Sequence, residues 1–162
     1  MKYINATYKG VISSIVLILV STVLFYGFHF PENGKSQYVV LILFIASVFW
    51  TLVSYKLSGY SNNSFKDYFA EAFKAFVVIT LFMAVFSFVF YRMNPQILND
   101  AIIENNNLIL KEGNRTIAEI EENSNKLRSI FMPMMISITI IKFLFLGSLV
   151  SMVGAGFLIQ KK

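Results

Sequence analysis

The chain has 162 residues, of which 56% are hydrophobic, 17 are Phe and only 14% are charged. Soluble domains carry about a quarter charged residues, so this chain lacks the polar groups to cover its apolar surface in water and reads as an integral membrane protein. It has no cysteine, which excludes a disulfide framework and a thiolate metal site, and its net charge of +5 is spread along the chain instead of forming the basic face that nucleic-acid binding calls for.

A bilayer core takes about 20 apolar residues per helix. The first such run, Gly10 to Phe30, follows Lys2 and Lys9 and at first resembles a signal peptide. Its apolar stretch is long for that, and PENGKSQ follows in place of a small-residue cleavage pattern, so it reads as a retained span. The second span covers 37–55 and is closed by Lys56. The third covers 72–91 and is closed by Arg92. The fourth covers 138–159 and is closed by Lys161 and Lys162. Ahead of the third, FKDYFAEAFKAF carries Phe65, Tyr68, Phe69, Phe73 and Phe76, the pattern of an interfacial helix feeding the span. Within it, Glu71 and Lys74 are spaced to pair. The expected fold is an all-α membrane protein, a single domain of four transmembrane helices in a bundle.

Positive charge near span ends sets orientation. With four spans both termini share a side, and Lys2, Lys9, Lys56, Lys66, Lys161 and Lys162 lie there, against Lys35 with Glu32 in the short first loop. The expectation is a multi-pass protein of a bacterial inner membrane with both termini cytoplasmic. Tyr26, Tyr38 and Tyr91 would mark the outer interface, and Tyr8, Tyr55, Tyr60 and Tyr68 the inner one.

The 93–128 segment would lie outside. It is long and nearly neutral, with Arg92, Lys111, Arg115, Lys126 and Arg128 set against Asp100, Glu104, Glu112, Glu119, Glu121 and Glu122. Asn94-Pro95 ends the third span and starts a new helix. Ile97, Leu98, Ala101, Ile102, Leu108 and Ile109 follow helical spacing, Gly113-Asn114 breaks it, and Ile117, Ile120, Leu127 and Phe131 form a second stripe. Two short amphipathic helices are expected, an extramembrane hairpin whose second arm leads into span four. Its stripes either pack on their own protein or present a docking surface. The NRT triplet at Asn114 fits a glycosylation acceptor, without consequence in a bacterium.

Between Ser129 and Gln160 the one charged residue is Lys142. Counting about 20 residues back from Ile159 places it less than a turn inside the outer boundary, where its stem can snorkel to the headgroups. A deeper position would need a partner, with Tyr26, His29, Glu32, Tyr91 and lipid phosphate nearest. Lys142, Tyr91, Arg92 and His29 are therefore the candidate lipid-phosphate or partner contacts. Gly147, Ser151 and Ala155, four apart, are the candidate helix-packing residues, within or between chains. Ser47, Thr51 and Ser54 give span two a weakly polar face. His29 is the sole histidine and no HExxH or CxxC pattern exists, so no metal site is expected. Met93, Met132, Met134 and Met135 read as flexible packing residues, not metal ligands. No span has an acidic residue near its middle, which argues against a proton-coupled carrier. Phosphate loops, nucleophile elbows and paired-carboxylate sites are missing too.

Tyr91 to Pro95 (YRMNP) at the end of span three, IAEIEE at Ile117 to Glu122, and a small-residue last span ending in a Lys pair form, with the four spans, a recognisable set. Over nearly its full length the chain resembles a family of short bacterial membrane proteins of unknown function common in Bacteroidota, domain-of-unknown-function family 4199. The resemblance implies no activity and no cofactor. It does imply a candidate partner, a membrane glycosyltransferase of the polyprenyl-phosphate-sugar type, whose genes often neighbour those of the family. The expected function is that of a non-enzymatic accessory or anchoring subunit of an inner-membrane complex. The alternative is a small oligomeric transporter or lipid-moving protein.

Overall fold

The computed structural model describes residues 4–28, 36–59, 64–113 and 115–159. His29, Glu32, Lys35, Tyr60, Asn114, Lys161 and Lys162, named above, lie outside the described residues, as does Lys2. Among those described there are five α-helices and no strand: α1 (Ala6–Thr22), α2 (Ser36–Leu57), α3 (Phe65–Met93), α4 (Gln96–Glu112) and α5 (Ile117–Leu158), with a π-helical turn (Val23–Gly27) closing α1. The stretches Ala6–Gly27, Gln37–Leu57, Phe65–Met93 and Ile117–Leu158 are long and apolar enough to cross a membrane. This is the make-up of a multi-pass membrane protein.

Local chemistry sets the helix boundaries. Asn5 accepts from the Thr7 N–H at the start of α1. Before α3, the Ser64 hydroxyl donates to Asp67 at 2.6 Å and accepts from the Asp67 N–H at 3.2 Å. Before α5, Thr116 and Glu119 do the same: Glu119 Oε2 accepts from the Thr116 N–H at 2.7 Å and from its hydroxyl at 3.0 Å. Reciprocal capping of this kind satisfies N–H groups that the first helical turn leaves open. Those hydrogen bonds hold the exposed Glu119 carboxyl below its ordinary range. Gly113 ends α4 at φ 68°, a left-handed backbone that glycine adopts without a Cβ penalty, and its N–H bonds to the Leu110 carbonyl.

Two helices run unbroken from an amphipathic lead-in into an apolar run. The aromatic lead-in at 65–76 continues into the third apolar run as one 29-residue helix. Likewise the second amphipathic stripe and the last apolar run form a single 42-residue helix passing through Pro133. Proline removes the hydrogen bond to the carbonyl four residues back, here that of Ser129. Ser129 and Pro133 are both exposed, so water can serve that carbonyl, and the Ser129 hydroxyl donates to Lys126 O at 2.7 Å.

By its contacts the chain divides into two compact units, Met1–Met83 with Ile140–Lys162, and Ala84–Thr139. In the first, α3 is the hub. It holds Tyr68 edge-on to Tyr55 of α2 at 5.5 Å, backs Ala75 and Val78 against Gly10 of α1, and sets Phe76 against Gly147 of α5. Phe44, Phe76, Phe143, Leu17, Leu52 and Ile79 fill the interior, all essentially buried. Phe44 and Phe143 meet edge to face at 4.9 Å, a geometry that suits the ring quadrupoles. In the second unit, Tyr91 stands edge-on to Phe131 at 5.6 Å. Buried Ser87 and Thr139 share a hydrogen bond of 3.2 Å. The Ser124 hydroxyl donates to Asn106 at 3.0 Å, and Arg128 donates to Asn99 at 3.3 Å.

Candidate functional site

The residues singled out by sequence fall in different places. Lys142 is half-buried in the first unit, its ammonium 5.7 Å from the Phe143 ring centroid, within cation–π range. Tyr91 is buried in the second unit against Phe90 and Phe131, and Arg92 beside it is exposed. His29 lies outside the described residues. Gly147, Ser151 and Ala155 are all buried. A Cβ on Gly147 would stand 2.6 Å from Phe76 Cγ, so α3 and α5 approach too closely there for any side chain. Two turns on, a Cβ on Gly154 would meet Leu52 Cδ1 at 2.5 Å. On α2, the Ser47 hydroxyl donates to Leu43 O and that of buried Thr51 to Ser47 O, so both bond back onto their own helix.

The most unusual side chain of the first unit is Lys9, which the sequence reading takes for a flanking charge. It is 2% exposed. The buried face of α1 is Ala6, Lys9, Gly10, Ser13, Ser14 and Leu17. These fall at helical spacing, and all but Lys9 and Leu17 are small, so α1 can lie close against its neighbours. The long Lys9 stem then has to run between helices. Its ammonium lies 5.9 Å from the ring centroid of Trp50 on α2, and Glu71 on α3 interacts with its charge. Glu71 is in turn bonded by Lys74 at 2.7 Å, with side-chain exposures of 13% for Glu71 and 52% for Lys74. Tyr55 lies within electrostatic reach of Asp67, Glu71 and Lys74, and packs on buried Tyr68. Lys9, Trp50, Glu71, Lys74 and Tyr55 thus gather from three helices into one polar cluster. A buried lysine costs several kcal/mol unless it is paired, and the Trp50 face with the field of the Glu71 carboxylate offsets part of that cost. The helical stripe Ala6, Gly10, Ser13, Ser14 was the sequence signal that Lys9 faces inward. The identity of its partners, some 40 and 60 residues away, had no local signal.

In the second unit, α4 presents an exposed face of Asp100, Ile103, Glu104, Asn107, Leu108 and Lys111. These positions share one helix face. The opposite face, with Asn99, buried Ile102 and Asn106, is turned to the first turns of α5 through the Asn106 and Arg128 hydrogen bonds. Among the described residues no group of three His, Cys, Asp or Glu side chains is placed to hold a metal ion.

Comparison with curated proteins and with solved structures found no match. The family model for a protein of unknown function, DUF4199, matches residues 8–159. That match takes in all five helices almost entirely, including the Lys9 cluster, the glycine contacts of α5 and the exposed α4 face, and the chain belongs to the DUF4199 family.

Proposed function

We propose that the chain is a non-enzymatic accessory or anchoring subunit of a bacterial inner-membrane complex. In this reading the four apolar stretches cross the membrane as a bundle, both termini are cytoplasmic, and α4 with the first turns of α5 forms a helical hairpin outside. The observation that carries it is the filled interior of the first unit, where glycines bring helices into contact and aromatic and aliphatic side chains occupy the space between them. A carrier needs a polar path; an anchor needs a tight bundle and surfaces for a partner. The exposed α4 face, apolar at Ile103 and Leu108 and charged at Asp100, Glu104 and Lys111, supports docking outside the membrane. The partner that family membership suggests is a polyprenyl-phosphate glycosyltransferase, and half-buried Lys142, with Arg92, would then lie near lipid phosphates.

The second reading, a small oligomeric transporter or lipid-moving protein, has buried Lys9 with Glu71 in its favour, since charged groups inside a membrane bundle often mark a pathway. Isolation of the tagged protein from its native membrane in mild detergent separates the two. The accessory reading expects one membrane enzyme at fixed stoichiometry, lost on substitution of Ile103 and Leu108 by Asp. Recovery of the chain alone as a defined oligomer overturns it.

A further inference from the structure

In the second unit, α4 and the first turns of α5 bury little apolar surface between them. Among the described residues of 96–124 the buried apolar side chains are Ile102 and Ile120, while Ile103, Leu108, Leu110 and Ile117 are all more than half exposed. Exposed apolar side chains grouped in this way mark an interaction surface. The charges select the arrangement. Asn99 accepts from Arg128 and Asn106 accepts from Ser124, so the two helices run antiparallel, with Asp100 level with Arg128 and Lys111 within a turn of Glu121. The exposed α4 face is acidic at one end, at Asp100 and Glu104, and basic at the other, at Lys111. Exposed Glu121, Asn125 and Arg128 of α5, spaced four and three, share one helix side and carry the reverse order at the same levels. Among the described residues these charges form no ion pair within the chain. Two such hairpins side by side, pointing one way, can pair in two manners. With α4 against α4, Asp100 meets Asp100 and Lys111 meets Lys111, and like charges repel. With α4 against α5, opposite charges meet at both ends.

We propose that a second copy of the chain covers this face, α4 of each hairpin lying antiparallel along α5 of the other to close a four-helix bundle. Asp100 of one copy meets Arg128 of the other, and Lys111 meets Glu121. In a two-fold pair each contact occurs twice, and Ile103 is shielded from water between the hairpins. The proposal rests on the membrane reading above, in which the hairpins of two copies leave one surface and point the same way. It names the first occupant of the α4 face, and a partner enzyme then meets the pair. Exposed ion pairs are individually weak, so the pair is reversible and its side chains stay reachable in the separated chain.

The test is energy transfer between donor-labelled and acceptor-labelled copies of the full chain in vesicles of phosphatidylcholine with phosphatidylglycerol. The label sits on Lys66→Cys, at an exposed position of α3 and unique in a chain without cysteine. Wild-type copies should transfer energy above the level that random encounters give at the same density. Asp100→Lys and Arg128→Asp should each associate with themselves about tenfold more weakly, since two attractive contacts become repulsive. Mixed with each other, the two variants should associate as the wild type does, because both contacts of the mixed pair join opposite charges. Wild-type transfer at the random level overturns the proposal, as do single variants that associate like the wild type or a mixture no stronger than its parts. Should Arg128→Asp fail to fold, Lys111→Glu and Glu121→Lys make the same crossed comparison at the other end of the face. The accessory reading fails separately, when the chain leaves its native membrane with no enzyme, and the sidedness of Asn107 and Lys66 decides the membrane reading.

Discussion

Three glycines of α5 differ in what a methyl group would meet, and this orders the effects of replacing them with alanine. At Gly147 the new Cβ lies 2.6 and 2.7 Å from Phe76 Cγ and Cδ2 and 3.0 Å from its Cβ. Carbon atoms rest about 3.5–4.0 Å apart, so the overlap is close to 1 Å. Phe76 is fully buried at the hub helix, and the atoms in the way are the root of its side chain, which moves only with the backbone. Overpacking of this kind costs about 1–3 kcal/mol. Alanine returns about 1 kcal/mol of helix propensity. The net effect is a loss of up to about 2 kcal/mol, which for a chain of this size lowers Tm by up to about 6 °C. At Gly154 the nearest atom is Leu52 Cδ1, at 2.5 Å, the mobile tip of a side chain that can turn aside. Alanine there should be close to neutral. Gly156 has nothing within 4 Å, and its replacement should raise Tm by about 2 °C through propensity alone. The assay is thermal unfolding of the purified chain in one detergent. Phe76→Ala, which removes Cγ and Cδ2, should relieve Gly147→Ala in a double-mutant cycle. Were Gly147→Ala as stable as Gly156→Ala, or were the cycle additive, α5 would not pack on α3 as described.

The start of α5 should respond to acid. Glu119 has its carboxyl held below the ordinary value by the Thr116 N–H and hydroxyl, so the folded helix binds this proton less readily than the unfolded chain, and the stabilisation is complete above the unfolded pKa of about 4.3 and lost as pH falls through the folded value below it. The protection of the amides at residues 117–120, relative to their intrinsic exchange rates, should fall in that acid range in the wild type and be low and independent of pH in Glu119→Ala. Ser87→Ala should cost about 0.5–1.5 kcal/mol, the worth of one hydrogen bond, because the Thr139 hydroxyl still donates to Met135 O at 3.0 Å, and Ser87→Ala with Thr139→Val should cost less than the sum, measured by denaturant unfolding. Ser124→Ala should cost about 0.5–1.5 kcal/mol and speed exchange at Asn106.

The apolar stretches were legible in sequence because runs of about 20 apolar residues bounded by Lys and Arg have few other uses. The turn at Gly113 was legible too, since glycine at a left-handed position is a local matter. The lead from the second amphipathic arm into the last apolar run was legible as well, but that the helix passes unbroken through Pro133 was not, since whether the carbonyl freed by a proline reaches water depends on which side of the helix is covered. Lys9 was the largest omission. Charge next to an apolar run normally flanks it, and its burial depends on Trp50 and Glu71, which no spacing within α1 points to. Lys142 drew the attention instead because it interrupts an apolar run, and its ammonium rests near the Phe143 ring.

The proposed membrane arrangement has four crossings, with the 93–128 segment outside and both termini within. The chain has no cysteine, so each one introduced is a unique reporter. Asn107 and Lys66 are both exposed, on α4 and near the start of α3. With a membrane-impermeant maleimide on intact cells, Asn107→Cys should label at once and Lys66→Cys only after the inner membrane is opened. Labelling of both, or of Lys66→Cys alone, would contradict the account.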